Sequence, residues 1–475
     1  MSAVLTTPRF KENVHEALGD ARLQRALNTA GNFVPRRAAA VARLPEFEAL
    51  RDSARDIKNH TLAHLDLYLE AYEEKVTQAG GFVHWARDAE EARKIFLDLC
   101  RARDAKRVTK GKSMISEEIG LNQALEAAGI EAIETDLGEY IIQLRHEAPS
   151  HIIAPAIHVT RDDVEADFRK AHTHLPRDRD LSQPETLLAE ARSILREKFL
   201  SADIGVTGAN FLIAETGTSI IVTNEGNGDL TQILPRVHVV IASLEKITPT
   251  LDDAAQLLRV LARSATGQDM SVYTTLSTGP RRPGDPDGPE EYHVILLDNG
   301  RSSMLAGEFA DMLRCIRCGA CMNHCPVYQA VGGHAYGWVY PGPMGAVLTP
   351  SLIGVADGGQ LPNASTFCGR CEAVCPMRIP LPKMMRHWRE REFERHLSPA
   401  SVRYGLGLWA FFAKRPALYR FATDLAMRVM GRVGRARGRF AWAPLAGGWT
   451  RGRDLAAPQG ATFQARWRSK SGAVS

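Results

Sequence analysis

Cys315-Ile316-Arg317-Cys318-Gly319-Ala320-Cys321-Met322-Asn323-His324-Cys325-Pro326 decides how this chain is read. A second run, Cys368-Gly369-Arg370-Cys371-Glu372-Ala373-Val374-Cys375-Pro376, follows it. Seven of the eight cysteines lie in these two runs. The first is C-x2-C-x2-C-x3-C-P without a departure, the ligand pattern of bacterial-type iron–sulfur proteins. The second supplies the last three cysteines of the same pattern. Ser365 stands where its first cysteine would be.

A cubane cluster needs thiolates from several directions, and a C-x2-C-x2-C turn wraps three of them around one face. In two-cluster proteins the cysteine before proline ligates the other cluster. Carried over, Cys315, Cys318, Cys321 and Cys375 hold one [4Fe–4S] cluster. Cys325, Cys368 and Cys371 hold the second, one ligand short. Pro326 and Pro376 stop helix continuation directly after the ligand. Gly319 and Gly369 relieve crowding where backbone approaches inorganic sulfide. Zinc favours two C-x2-C knuckles making four ligands, and disulfides need an oxidising compartment. Seven clustered thiols with two Cys-Pro endings fit neither. His324 reads as a spacer, because the thiol pattern already fills its place.

Working outward, 475 residues are too many for one compact core, so two or three domains are expected. A hydrophobic content of 44% and a charged content of 24% are those of an ordinary globular chain. The first twenty residues hold no apolar stretch of the signal-peptide kind. No apolar run approaches the roughly 18 residues of a membrane span. Reduced thiols then point to the cytoplasm. The net charge of +4 hides an asymmetry: residues 401–475 carry fourteen Lys/Arg against two Asp/Glu. That tail is a separate basic region. It carries no nucleic-acid recognition motif, so nucleic acid is not an expected partner.

Residues 1–65 read as a helical arm that packs on the following domain, with Phe47, Leu50, Ile57, Leu62 and Leu65 at helical spacing. Residues 66–300 alternate strand and helix, which argues for a largely parallel sheet covered on both faces. Expected strands are Gly81–Trp85 (short and buried), 107–110, 130–135, His151–Ala154, 237–242 and 292–297, with another at Val272. The stretch from Gly205 through Thr223 reads as a hairpin. Cys100 lies on the helix begun by Asp88 and is expected to be a small core residue. Residues 301–400 hold the cysteine runs, and the long spacer between them suits a helical rather than an all-loop ferredoxin. Residues 401–475 form the tail. Its aromatic, arginine-bearing first part suits an interfacial or partner-docking helix, or packing on its own domain. Arg432 onward reads as partly disordered.

With these residues assembled, the chain resembles the lactate utilisation protein B family. The resemblance is carried by Lys112–Asn122, Glu134–Leu144, Thr223–Gly228, the first cysteine run, Tyr340–Pro343 and Ser365–Cys371. It implies a central LUD domain, an α/β fold similar to sugar-isomerase and CoA-transferase-like proteins. A mostly α-helical, ferredoxin-like domain with two [4Fe–4S] clusters and a family-specific tail follow. The implied role is electron transport in oxidation of L-lactate to pyruvate, so that lactate serves as carbon source. The implied companions are a cysteine-rich protein of the heterodisulfide-reductase type and a smaller LUD protein. The basic tail is a further candidate for contact with a partner or a membrane surface. An electron-carrying subunit is favoured over a stand-alone enzyme.

A serine at position 365 agrees with that family but departs from the general two-cluster ferredoxin. Its chemistry is open: serine oxygen as fourth ligand, water or hydroxide on one iron, a ligand from a partner, or a [3Fe–4S] cluster. Ser365 as a cap on the following turn is the plainer alternative. Backbone N–H groups at Gly319 and Gly369 are candidates for tuning the clusters. Arg314, Arg317, Arg370 and Arg378 either offset cluster charge or form a solvated face steering an acidic partner, the second being favoured. There is no G-x-G-x-x-G after a strand, hence no dinucleotide fingerprint of that kind. The alternative function places a carboxylate-based active site in the LUD domain, served by the clusters. Glu215 is its candidate catalytic residue; Glu117, Glu118, Lys110 and Lys112 are further polar candidates.

Overall fold

The apolar runs of the centre become strands whose side chains are buried on both faces. The computed structural model describes residues 5–29, 32–443, 447–450 and 452–471. Among them ten strands precede the cysteine runs. They are β1 (Phe82–Ala86), β2 (Arg107–Gly111), β3 (Glu131–Glu134), β4 (Ile204–Thr207), β5 (Phe211–Ile213), β6 (Thr218–Thr223), β7 (Val237–Ser243), β8 (Ile247–Thr248), β9 (Tyr273–Ser277) and β10 (Glu291–Leu297).

Six of them form one parallel sheet in the order β1-β10-β7-β4-β2-β3. Successive side chains of a strand point to opposite faces. Val239, Ile241, Ile295 and Leu297 accordingly enter one core with Phe96, Cys100 and Leu125. Val240, Ala242, Val294 and Leu296 enter another with Leu69, Tyr72 and Val76. Burial on both faces explains why these strands read as continuous apolar runs. Gly205 in β4 is required by packing, because a Cβ there would lie 1.8 Å from the carbonyl oxygen of Thr231. A second sheet has the order β8-β5-β6-β9.

Three expected elements differ. The Gly205–Ala214 stretch is not one strand: it breaks at Gly208–Asn210, leaving β4 in the first sheet and β5 in the second, and the hairpin is β5–β6. His151–Ala154 is a loop, because buried His151 accepts the N–H groups of Ile153 and Ala154 on Nδ1 at 3.1 and 3.2 Å. Those amides are therefore spent locally and not on a ladder. The Gly81–Trp85 strand exists as β1 but is an edge strand, with Phe82 and Trp85 exposed.

The strand order reverses direction between β2 and β4. In such sheets a ligand crevice opens at the carboxyl ends of the strands flanking the reversal. Lys112–Ser113 and Gly208–Asn210 are the segments that leave β2 and β4 there.

The N-terminal helices, including Phe10–Gly19 and Phe47–Ala63, share one core with the cysteine-bearing segment. Phe10, Phe47 and Leu50 lie in the same apolar cluster as Leu257, Met312, Tyr336, Met344 and Trp388. These segments and the α/β centre together form the unit Met1–Glu392.

Within that unit a buried chain of charges crosses from the sheet to the first cysteine run. Arg301 makes a bidentate contact with Glu118, at 2.9 and 2.7 Å, and its Nε lies 3.1 Å from Glu245. Glu245 also accepts Arg317 at 3.1 Å. Tyr340 and Asn299 donate to Glu118 at 2.6 and 2.7 Å. The Arg317 guanidinium lies over the Tyr340 ring at 5.1 Å. Burial alone would push both carboxyls up. Arg301 outweighs it at Glu118, and Arg301 with Arg317 holds Glu245 at about 2.

The second unit, Phe393–Ser475, holds helices Ala400–Ala413 and Pro416–Gly434, the antiparallel pair Arg439–Phe440 with Leu455–Ala456, and helix Phe463–Ser471. Within the stretch read as partly disordered, the described residues include the short pair Arg439–Phe440 and Leu455–Ala456 and the helices Gly447–Thr450 and Phe463–Ser471; 444–446, 451 and 472–475 lie outside the described residues. Tyr404, Trp409 and Phe421 are exposed on its helices. No helix among the described residues is long and apolar enough to cross a membrane.

Breaking the buried charge chain leaves carboxylates without a partner. Arg301→Met is expected to cost about 3–5 kcal/mol in urea unfolding. Glu245 has a depressed folded-state pKa, so its contribution is present above the ordinary carboxylate range and is lost as pH falls through about 2. The urea midpoint of the native chain should therefore fall between about pH 4.5 and 2, and a flat profile there would refute the assignment.

Candidate functional site

The seven clustered cysteines separate into two small cavities. One is lined by Cys315, Cys318, Cys321 and Cys375, walled by Ile152, Arg317, Met344 and Ile379. The other is lined by Cys325, Cys368 and Cys371, with Ser365, Tyr336 and Met385 around it. The exchange is local in origin. Cys321 and Cys371 each lie on a short helix, Ala320–Asn323 or Arg370–Val374, that carries the chain onward, and the two helices pack on each other. Each Cys-Pro therefore emerges beside the other run.

The two runs share one backbone conformation. The residue before the second cysteine is left-handed in both, Arg317 at φ +59° and Phe367 at φ +53°. The glycine after it is left-handed as well, Gly319 at φ +73° and Gly369 at φ +77°. Ser365 thus occupies in the second run the place of Cys315 in the first. Its Oγ accepts the N–H of Phe367 at 3.1 Å, closing a serine turn, while the residue still lines the cavity.

Backbone N–H groups donate to the cysteine sulfurs. Ala320 serves Cys318, Val327 and Tyr328 serve Cys325, Arg370 serves Cys368, and Met377 and Ile379 serve Cys375. The amides at work are therefore those one residue beyond Gly319 and Gly369. The left-handed glycine turns the next N–H inward. The hydroxyl of buried Tyr336 also bonds Cys325. Nothing in the spacing pointed to Tyr336, since it lies between the runs.

All seven thiols are free of disulfides. Burial pushes Cys318 and Cys371 up to about 12 and Cys375 up to about 11. Cys368 is exposed, and its thiol is lowered by the Arg370 amide and the Thr366 hydroxyl. Such donors fit a soft metal centre that displaces the protons, because only the thiolate is a ligand. Sulfur-only donors, amides aimed at sulfur and two adjoining cavities suit iron–sulfur clusters.

The arginines around the runs are mostly not a solvated face, which corrects the expectation. Arg314 and Arg317 are buried or nearly so; Arg314 bonds Asn59 at 3.1 Å and Arg317 bonds Glu245. Arg378 pairs with Glu48 and Asp52, and Arg370 alone of the four is exposed. His324 lines neither cavity; its Nδ1 lies 2.9 Å from the Ala320 carbonyl. Sequence reading missed Arg51 and Arg37, distant N-terminal residues that hold the second run. Buried Arg51 donates to the carbonyls of Cys375 and Ala373, and Arg37 donates to that of Val374. His151 reaches Asn323 in the first run at 3.0 Å.

A third cavity, of about 160 Å³, lies at the carboxyl ends of β2, β4 and β7. Lys112, Asn210, Ser243 and Lys246 line it, and Ile152 and Arg317 separate it from the Cys315 cavity, lining both. Burial, then Arg317, lowers Lys246 to about 8. Glu139 also lines it and is pushed well up, by burial first and then by Glu134 and Asp136. Lys110 is buried between Glu117 and Glu134, and Glu118 belongs to the buried charge chain. Glu215 lies elsewhere: it is exposed in the β5–β6 turn, and its carboxylate accepts the Leu251 N–H at the start of helix Leu251–Ala265. A wider, strongly acidic cleft of about 740 Å³ beyond β3 touches neither cysteine cavity.

Residues 69–297 match the LUD domain family and residues 311–379 the 4Fe-4S dicluster domain family. Lactate utilization protein B of Bacillus licheniformis is 41% identical over 98% of this chain and 97% of its own length. Lactate utilization protein B of Macrococcus caseolyticus is 42% identical over 98% of both chains. YkgF of Escherichia coli, an uncharacterized electron transport protein, is 43% identical over 88% of both.

The raised thiols give a pH signature. Protons bound to Cys318, Cys371 and Cys375 must leave when metal binds, so affinity should rise with pH. Titration of the metal-free chain with cobalt(II), followed by thiolate-to-metal absorbance, should tighten between pH 6 and 9. A pH-independent affinity would exclude these thiols as donors.

Proposed function

Because this chain belongs to the lactate utilization protein B family, we propose that it is an iron–sulfur electron-transfer component in the oxidation of L-lactate to pyruvate. The observation that carries the reading is the pair of adjoining cysteine cavities with unequal surroundings. One is enclosed against the α/β pocket, the other has a cysteine, Cys368, at the surface. Cys315, Cys318, Cys321 and Cys375 would hold one [4Fe–4S] cluster; Cys325, Cys368 and Cys371 would hold the second. A [4Fe–4S] cluster takes up one electron at a time, so two of them match the electron pair that lactate releases on becoming pyruvate.

The chain's own residues set the conditions. Buried Met344 and Ile379, with half-buried Ile152, keep water from the first cavity, and low exposure together with amide donation to sulfur governs reduction potential. The Tyr336 hydroxyl and the backbone N–H groups of Val327, Tyr328, Arg370 and Glu372 serve the second set. Ser365 is a turn cap in this proposal, since its oxygen is engaged by Phe367. With Ser365 so engaged, Cys325, Cys368 and Cys371 would hold the second cluster by three thiolates, which would leave it able to lose one iron.

Exposed Cys368 and Arg370 mark the side on which an electron partner docks. The cysteine-rich protein of the heterodisulfide-reductase type and the smaller LUD protein belong to the proposal as partners. So does a cytoplasmic location, where thiols stay reduced. The exposed aromatic, arginine-bearing helices of Phe393–Ser475 are proposed as a further contact surface.

Anaerobic reconstitution should give about eight iron and eight sulfide per chain, with both centres reducible by dithionite in EPR. Mild oxidation should remove one iron from wild type and none from Ser365→Cys. Equal loss from both would show that Ser365 does not mark the open coordination. Dye reduction by L-lactate with the isolated chain alone would overturn the carrier reading.

A further inference from the structure

We propose that Glu147, His158 and His334 form a binding site for a divalent metal ion of the zinc class, separate from both cysteine cavities. One ring nitrogen of each histidine and one carboxylate oxygen of Glu147 lie within 4.8 Å of one another. The three come from different places in the chain. Glu147 follows helix Leu137–Arg145, and His158 lies in the loop before helix Arg161–Ala171. His334 opens the short helix His334–Tyr336, in the spacer between the cysteine runs.

A plain ion pair accounts for two of them only. His158 Nε2 lies 2.6 Å from Glu147 Oε2. That pair leaves His334 unexplained, whose ring stands edge-on to that of His158 with centroids 4.4 Å apart. The hydrogen bonds around the cluster set the tautomers. A carbonyl oxygen only accepts, so His334 Nε2, 2.7 Å from the oxygen of Ala148, carries the ring proton and Nδ1 keeps its lone pair. A carboxylate also only accepts, so neutral His158 carries its proton on Nε2 and keeps the Nδ1 lone pair. That Nδ1 is buried without a hydrogen-bond partner, on a side chain 8% exposed. A buried acceptor left unmet is costly, and a cation answers it. Tying the far nitrogen of a histidine to a carbonyl or a carboxylate is how metal-ligating imidazoles are oriented.

The charge balance agrees with a cation. Arg145 holds the other oxygen of Glu147 at 3.1 Å and also pairs with Asp167 at 2.8 Å. Two carboxylates thus share one guanidinium, which leaves a negative charge beside the histidines. Two imidazoles with a carboxylate suit zinc(II), whereas magnesium and calcium take oxygen ligands. His334 is exposed and Glu147 also lies on the wall of the wide cleft beyond β3, so an ion reaches the site from solvent. Bound there, it ties the spacer to the α/β domain. The tie lies beside Ser150, which accepts the Gly333 N–H on Oγ at 3.1 Å and the Tyr328 hydroxyl on its carbonyl at 2.8 Å. Tyr336, at the end of the same short helix as His334, bonds Cys325. The ion is therefore a structural clamp on the segment that serves the second cysteine set.

Anaerobic calorimetric titration of the full-length, cluster-loaded chain with zinc(II), followed by zinc K-edge EXAFS, tests this. Saturable uptake of about one zinc per chain is expected, with iron content unchanged and a shell of nitrogen and oxygen without sulfur. His334→Ala and His158→Ala should each weaken zinc binding at least about tenfold. The rise in thermal midpoint that zinc gives the native chain should vanish in both. His334 is exposed, so His334→Ala decides the matter should His158→Ala not fold. Absence of saturable uptake, a sulfur shell around zinc, or an affinity unchanged in His334→Ala overturns the site.

Discussion

Everything in the first unit depends on a buried line of alternating charge, Glu118–Arg301–Glu245–Arg317. Charges removed from water cost several kcal/mol each unless their partners are well placed. Here the bidentate Arg301 contact, with Tyr340 and Asn299, answers Glu118, and two guanidiniums answer Glu245. The four residues come from four places: the helix after β2, the turn after β10, the end of β7 and the first cysteine run. Arg317 is thereby held by the sheet while sitting between Cys315 and Cys318. The geometry of the first cysteine turn is thus set from the α/β domain, and Arg317 becomes the wall common to the pocket and the cysteine cavity.

The second run is held from the other side. Arg51 and Arg37 reach from N-terminal helices to its carbonyls, and Lys58 binds the carbonyls of Glu245 and Ile247. Three cations from one N-terminal region thus satisfy backbone acceptors on both the dicluster segment and the sheet. An unpaired buried carbonyl is costly, so this arm is part of the fold and not an appendage. Its apolar residues Phe10, Phe47 and Leu50 belong to the core that surrounds the cysteines.

The two cysteine cavities are alike in backbone and unlike in environment. Matching left-handed residues put amides on sulfur in both. Only the second has an exposed cysteine and a serine in the fourth place. Local sequence repeats the turn; tertiary packing makes one copy enclosed and the other open. The two cavities thus differ in exposure, one lying against the pocket and the other reaching the surface.

The division of labour between sequence and structure follows the range of the interactions. Cysteine spacing determined the iron–sulfur chemistry and the exchange of Cys325 and Cys375, because ligands three residues apart can only wrap one small object. Strand periodicity determined a parallel sheet buried on both faces, since the apolar runs had no polar side to offer solvent. Where side-chain bonds compete with the ladder, as at His151, that reading failed. Glu215, a strand-end carboxylate in sequence, became a helix cap because the helix begun by Leu251 packs beside its turn. Lys246 next to Cys315, Arg51 on Cys375 and Tyr336 on Cys325 were decided by tertiary structure alone. Their partners lie far apart in the chain or outside any motif, and only packing brings them within the few ångströms over which a hydrogen bond or a charge acts.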